Sequence, residues 1–155
     1  MERRYVDAVC RAAENIFTGH FGLPDVQVLE IHDGETQVPA MPISVILGVH
    51  GALKGQIICS FQDDTAKQII GTMMGGMEVA EIDDLGWSAI QEFGNWVAGT
   101  SATEISKEGV VVDVTPPVIN EGHSRFRSTN VFTTVPLETA MGRVEIHVAL
   151  QEEQL

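Results

Sequence analysis

Positive charge is scarce in this sequence: nine Lys and Arg stand against 22 Asp and Glu, for a net charge of -13. That shortage argues against nucleic acid, whose phosphates need a basic patch, and against anionic membranes. A small phosphorylated metabolite would need a local basic pocket, yet the cations are scattered, with Arg125 and Arg127 the nearest to a pair beyond Arg3-Arg4 at the N-terminus. A protein partner with a basic rim fits this charge better. Cysteine is equally sparse. Cys10 and Cys59 lie far apart in apolar surroundings, with no CxxC and no zinc-type spacing, which reads as two buried thiols in a reducing compartment. No apolar run approaches the roughly 20 residues that span a bilayer. Behind Arg3 and Arg4, Asp7, Arg11 and Glu14 interrupt any signal-peptide core, so a cytoplasmic location is expected. Common catalytic spellings are missing too. His20, His32, His50, His123 and His147 form no HExxH and fall mostly at turns and strand ends, which reads as surface histidine rather than a metal-dependent hydrolase. A serine hydrolase would carry GxSxG, and none occurs.

Hydrophobic residues make up 44% of the chain and charged residues only 20%, a globular composition. The length of 155 residues fits one domain, residues 1–155. Val6, Val9, Ala13, Ile16 and Phe17 recur at three- and four-residue steps and predict a helix over 5–17, ended by Gly19 and Gly22-Leu23-Pro24. Residues 26–31 alternate as a strand, and 43–49 with 53–61 predict a hairpin. Asp63-Asp64 caps a helix from 65 to about 74, stopped by Gly75-Gly76. Met73, Met74 and Met77 cluster there, fitting either core filling or an adaptable contact edge. Asp83-Asp84 then opens a long helix to about Ser106. Strands are expected over 110–114, about 127–136 and 142–150, with Pro116-Pro117 stopping the first and turns at 120–123 and 137–141. Tight connections between strands imply an α+β fold: a mostly antiparallel sheet with helices packed on one face.

The long helix carries the informative pattern. At about 100° per residue, Glu92, Asn95 and Gly99 all fall within about 40° of Ser88, while Ile90, Phe93 and Val97 lie about 140–200° away. Such a polar stripe is by default a solvated face. Two details set this one apart. Asn is a poor mid-helix residue, because its amide competes for backbone hydrogen bonds. Gly94 and Gly99 each cost about 1 kcal/mol against Ala inside a helix. Bare backbone at Gly99, on the stripe, would let another surface approach closely, whereas Gly94 points aside and is better explained by packing.

Ser88-x-x-x-Glu92-x-x-Asn95, with its flanking run from Glu92 to Ala102 and the Pro116-Pro117-Val118-Ile119 segment beyond, resembles the signature of the CheC/CheX/FliY phosphatases. Pro116 and Pro117 stand one or two positions before the place of the family's proline. Two-site members of that family resemble a pseudo-repeat with a second Glu-x-x-Asn in helix one. Here Asn15 remains, but Ala12 and Ala8 occupy the Glu and Ser positions, as in the one-site members. The resemblance implies a CheC/CheX-like fold and hydrolysis of the aspartyl phosphate of a CheY-like response regulator. It implies that Asn95 orients the attacking water and that Glu92 docks to a partner lysine, with Ser88 and Gly99 in the contact surface. It further implies a homodimer, with Mg2+ held by the regulator and no metal or cofactor of the chain's own. A non-catalytic module binding a signalling protein through the same helix face is the alternative.

Overall fold

In the computed structural model, described over residues 2–153, three helices cover one face of an antiparallel sheet. Met1, Gln154 and Leu155 lie outside the described residues. The helices are α1 (Arg3–Asn15), α2 (Asp63–Met73) and α3 (Asp84–Ser106). The strands are β1 (Gln27–Val28), β2 (His32–Asp33), β3 (Gln37–Pro39), β4 (Ile43–Gly51), β5 (Leu53–Phe61), β6 (Val112–Val114), β7 (Val118–Glu121), β8 (Arg125–Arg127), β9 (Thr133–Thr139) and β10 (Gly142–Glu152). The main sheet runs β1-β9-β10-β5-β4-β6, with β2 also on β9 and β7 also on β4. The α+β expectation is met.

Strand alternation divides the interior in two. Val45, Leu47, Ile57, Cys59, Ile146 and Val148 point toward the helices and join Tyr5, Phe17, Ile70 and Phe93 in the main core. Ile58 and Ala149 point the other way and meet Val38, Phe126 and Phe132 beneath a two-stranded ribbon of β3 and β8. The expected hairpin is present, with Ile43 opposite Phe61 and Val49 opposite Gly55. Gly55 has φ +153°, and a Cβ there would run into the carbonyl of Ala149 on β10, so only glycine lets the two strands close.

Several boundaries differ from the sequence reading. The strand expected over 26–31 is reduced to β1, and β2 follows just beyond it; the two pair with opposite ends of β9. Between them Leu29 donates to the Pro136 carbonyl at 2.9 Å, but Pro136 has no N–H to return. The strand expected over 127–136 divides: Arg125–Arg127 joins the ribbon and Thr133–Thr139 joins the main sheet. The segment at 118–121, read as the approach to a turn, is the strand β7 beside β4. Helix α2 starts at Asp63, so Asp63 and Asp64 sit in its first turn rather than capping it, and Gln62 is the N-cap residue. Helix α1 ends at Asn15 and passes into a π-helical turn, Ile16–His20. Met73 and Met74 pack against the core, while Met77 is 61% exposed.

Candidate functional site

Helix α3 starts where the sequence says it should: Asp83 accepts a hydrogen bond from Gly86 N at 2.9 Å and so caps the first turn. Ile90, Phe93 and Val97 are buried in the core, and burying a side chain such as Phe93 contributes about 1.5–3 kcal/mol. That burial fixes the helix's rotation, so Ser88, Glu92, Asn95 and Gly99 all emerge exposed along the opposite side. Leu85, 62% exposed, heads the same stripe.

Two contacts that the sequence did not reveal hold the rotation more tightly. Gln91 donates from Nε2 to the Pro117 carbonyl at 2.7 Å. Beside it, Gly94 is seated so closely that an added Cβ would lie 2.8 Å from the Pro117 ring and 2.9 Å from Val45. Gly94 is thus a packing glycine, as its angle on the wheel suggested. Gly99 is its opposite: a Cβ there would meet nothing within 4 Å.

The polar side chains of the stripe are in different states. Ser88 spends its hydroxyl on the Asp84 carbonyl at 3.1 Å. Glu92 and Asn95 make no side-chain bond among the described residues, which leaves the carboxylate and the amide free to face a partner. The C-terminal part of the stripe borders a hollow of about 330 Å³, lined by His20, Asn95, Trp96, Gly99, Thr100 and Thr103. His20 reaches it from the π-helical turn and stacks on Trp96, with ring centroids 4.9 Å apart. Asn95, Trp96, Gly99, Thr100 and Thr103 share one side of α3 by helical spacing, but no local sequence pattern joins His20 to them.

Helix α1, by contrast, offers no second site. Ala8 and Ala12 are fully buried, and Asn15 donates to Glu104 Oε1 on α3 at 3.2 Å. Glu104 also takes bonds from Lys107 at 3.0 Å and Arg11 at 3.2 Å. These donors, that of Lys107 foremost, hold its carboxyl below the ordinary carboxylate value.

The other candidates sort plainly. Burial pushes the Cys10 and Cys59 thiols up to about 12, so both are poor nucleophiles, as expected of buried thiols. Among the described residues no group of three or more His, Cys, Asp or Glu side chains is placed to hold a metal ion. No helix of the described residues is long and apolar enough to cross a membrane. One histidine departs from the surface reading: His147 is 2% exposed on β10. Its Nδ1 lies 2.8 Å from Thr134 Oγ1, and its Nε2 has no hydrogen-bond partner. Burial holds its pKa below the ordinary value.

The α3 face therefore stands open to solvent, with the Glu92 carboxylate and the Asn95 amide unpaired among the described residues. Comparisons with known proteins bear on the same helix. A family model described as the CheC-like family matches residues 85–121, the segment from the head of α3 to the end of β7. The chain is 37% identical over 102 residues to the CheY-P phosphatase CheX of Thermotoga maritima, a match covering 65% of each chain and so a little under two thirds of that relative's length. Its fold is similar to that of a chemotaxis protein CheX from Desulfovibrio desulfuricans, with a TM-score of 0.82 at 16% identity over 96% of this chain and 99% of that one. It is similar as well to a chain of the CheX-CheY-BeF3-Mg2+ complex from Borrelia burgdorferi, with a TM-score of 0.78 at 22% identity over 96% and 98% of the two chains. The chain thus resembles CheC-like proteins over the α3–β7 segment and shares their fold.

Proposed function

We propose that this protein is a phosphatase that removes the phosphoryl group from the aspartyl phosphate of a CheY-like response regulator. The observation that carries the reading is the free, exposed Asn95 amide at the middle of α3, one turn beyond a free Glu92, inside the segment the family model matches. The Thermotoga relative's name, CheY-P phosphatase CheX, and the presence of CheY, BeF3 and Mg2+ in the Borrelia complex support it.

An aspartyl phosphate is an acyl phosphate and is already reactive. Hydrolysis needs a water in line with the scissile P–O bond: the water oxygen bonds to phosphorus, the carboxylate leaves, and inorganic phosphate departs. The Asn95 amide suits the task of holding that water. Its carbonyl accepts a hydrogen bond from the water while its NH2 donates another, and neither adds charge beside the phosphoryl oxygens. Orientation of this kind supplies several kcal/mol of a barrier. A carboxylate that close would repel the phosphoryl group, so Glu92 serves instead as the docking group, pairing with a lysine at the rim of the regulator's site. Mg2+, held by the regulator, neutralises charge on the transferring group. The homodimer implied by the family resemblance belongs to this reading and is checked by sedimentation.

The test is incubation with a panel of CheY-like receiver domains phosphorylated by acetyl phosphate in Mg2+. Accelerated loss of the phosphoryl group is expected, and Asn95→Ala should lower kcat by roughly 10²–10³-fold while leaving most of the binding. Unchanged turnover in that variant removes Asn95 from the mechanism. Binding of the phosphorylated domains without any acceleration would make the protein a non-catalytic module.

A further inference from the structure

The polar stripe accounts for chemistry and register but poorly for affinity. An exposed ion pair such as Glu92 with a lysine is worth about 0.2–1 kcal/mol, and stable interfaces draw most of their energy from a few desolvated, largely aromatic anchors. The surface next to Asn95 carries such an anchor point.

Three independent features meet at the hollow beside Asn95. The first is the π-helical turn, Ile16–His20, closed by Phe21 N bonding to Ile16 O at 3.1 Å. Such turns are rare and recur at functional sites. This one lifts His20 out of the helix and onto Trp96, at 27° between ring planes. The second is the support beneath Trp96, which also packs against Phe21 at 5.8 Å, so the wall of the hollow is braced from the core side. The third is the cleared floor. Gly99 has no side chain, and Thr103 spends its hydroxyl on the Gly99 carbonyl at 2.9 Å, so that donor is already used. The hollow is shallow and open to solvent, about 330 Å³, wide enough for a partner's side chain to rest in it. Its lining holds no Asp, Glu, Lys or Arg, although the chain as a whole has 22 acidic residues.

We infer that this hollow receives one apolar side chain, aliphatic or aromatic, from the rim of the response regulator's phosphorylation site, and that it sets how tightly the regulator is held. The inference rests on the proposed function, because that reading places Asn95 in the regulator's site and the hollow adjoins Asn95. His20 and Trp96 then contribute affinity alone: they hold the partner against α3 equally before and during the reaction, and take no part in the chemistry.

The test uses two variants that leave the Trp96 packing in place. His20→Ala removes one wall; Thr103→Phe fills the floor from an exposed position. With a receiver domain phosphorylated by acetyl phosphate in Mg2+, each is expected to raise KM about tenfold, with kcat within about twofold of wild type and the melting temperature unchanged. Asn95→Ala, measured alongside, moves kcat instead. A wild-type KM in both variants, with wild-type turnover intact, overturns the hollow and leaves the phosphatase standing. If the wild type binds the phosphorylated domain without hydrolysing it, and both variants weaken that binding about tenfold, the phosphatase falls and the hollow stands. A wild type that neither binds nor hydrolyses overturns both.

Discussion

Replacing Gly99 by leucine separates a docking face from a merely solvated one, because the two readings predict opposite fates for stability and activity. Gly99 is mid-helix, exposed, and open to at least 4 Å around a built Cβ, so leucine fits without strain. Glycine is about 0.8–1 kcal/mol worse than alanine in a helix interior and leucine only slightly worse, so the change stabilises by about 0.8 kcal/mol. In a domain of this size 1 kcal/mol moves the melting temperature by about 2–4 °C, which makes the expected rise about 2 °C. Activity should go the other way. The leucine side chain would stand on the stripe itself, one turn beyond Asn95, and hold a docked partner off the helix. A displacement of about 1 Å costs on the order of 10²-fold in rate when catalysis rests on positioning. Melting by calorimetry and turnover of a phosphorylated receiver domain, measured on one sample, decide it. Raised stability with turnover near wild type would refute the placement of Gly99 at the interface. A lowered melting temperature would refute the open geometry on which the estimate rests.

Gly94→Ala should do to stability the reverse of Gly99→Leu: overpacking against Pro117 and Val45 costs about 1–3 kcal/mol, more than the helix propensity gained, so urea unfolding should show a lower midpoint. Glu92→Ala should weaken regulator binding and flatten its dependence on salt, and a Glu92→Gln variant indistinguishable from wild type in a salt titration would end the ion-pair assignment. His147 gives a pH dependence of defined sign. Burial lowers its pKa in the fold, so as pH falls through the ordinary value of 6.5 the unfolded chain takes up a proton that the folded protein refuses, and stability declines. The loss of melting temperature between about pH 7.5 and pH 5.5 should therefore be smaller in His147→Gln than in wild type, and equal losses would show that His147 is not a source of it.

The parts of this molecule legible in the sequence are those fixed by local periodicity. Asp83 and the three-and-four spacing of Ile90, Phe93 and Val97 defined α3 almost to the residue, and with it the exposed stripe of Ser88, Glu92, Asn95 and Gly99. The β4–β5 hairpin was visible for the same reason. What escaped was decided by partners distant in the chain. Residues 26–31 alternate like a strand, yet the donor missing at Pro136 interrupts the ladder they would join. Arg125–Arg127 reads as continuous with the strand after it, but its backbone pairs with Gln37–Pro39 to roof the back of the sheet. His147, read as a surface residue, is enclosed because it lies across from Thr134 and Ile58 in the middle of that sheet. The hollow was invisible for the same reason: His20 follows a glycine that ends the helical pattern, and only the π-helical turn brings it to Trp96.

The packing of the first helix limits what substitution can do there. Its Ala8 and Ala12 are sealed inside the molecule, and its Asn15 braces Glu104. Placing serine and glutamate at positions 8 and 12 would not create a second reaction centre. It would force a carboxylate into the interior, where an unpaired charge costs several kcal/mol, and would push the first helix off the third. The inner face of the first helix is therefore committed to packing, and whatever the protein engages must be engaged from the outer face of the third.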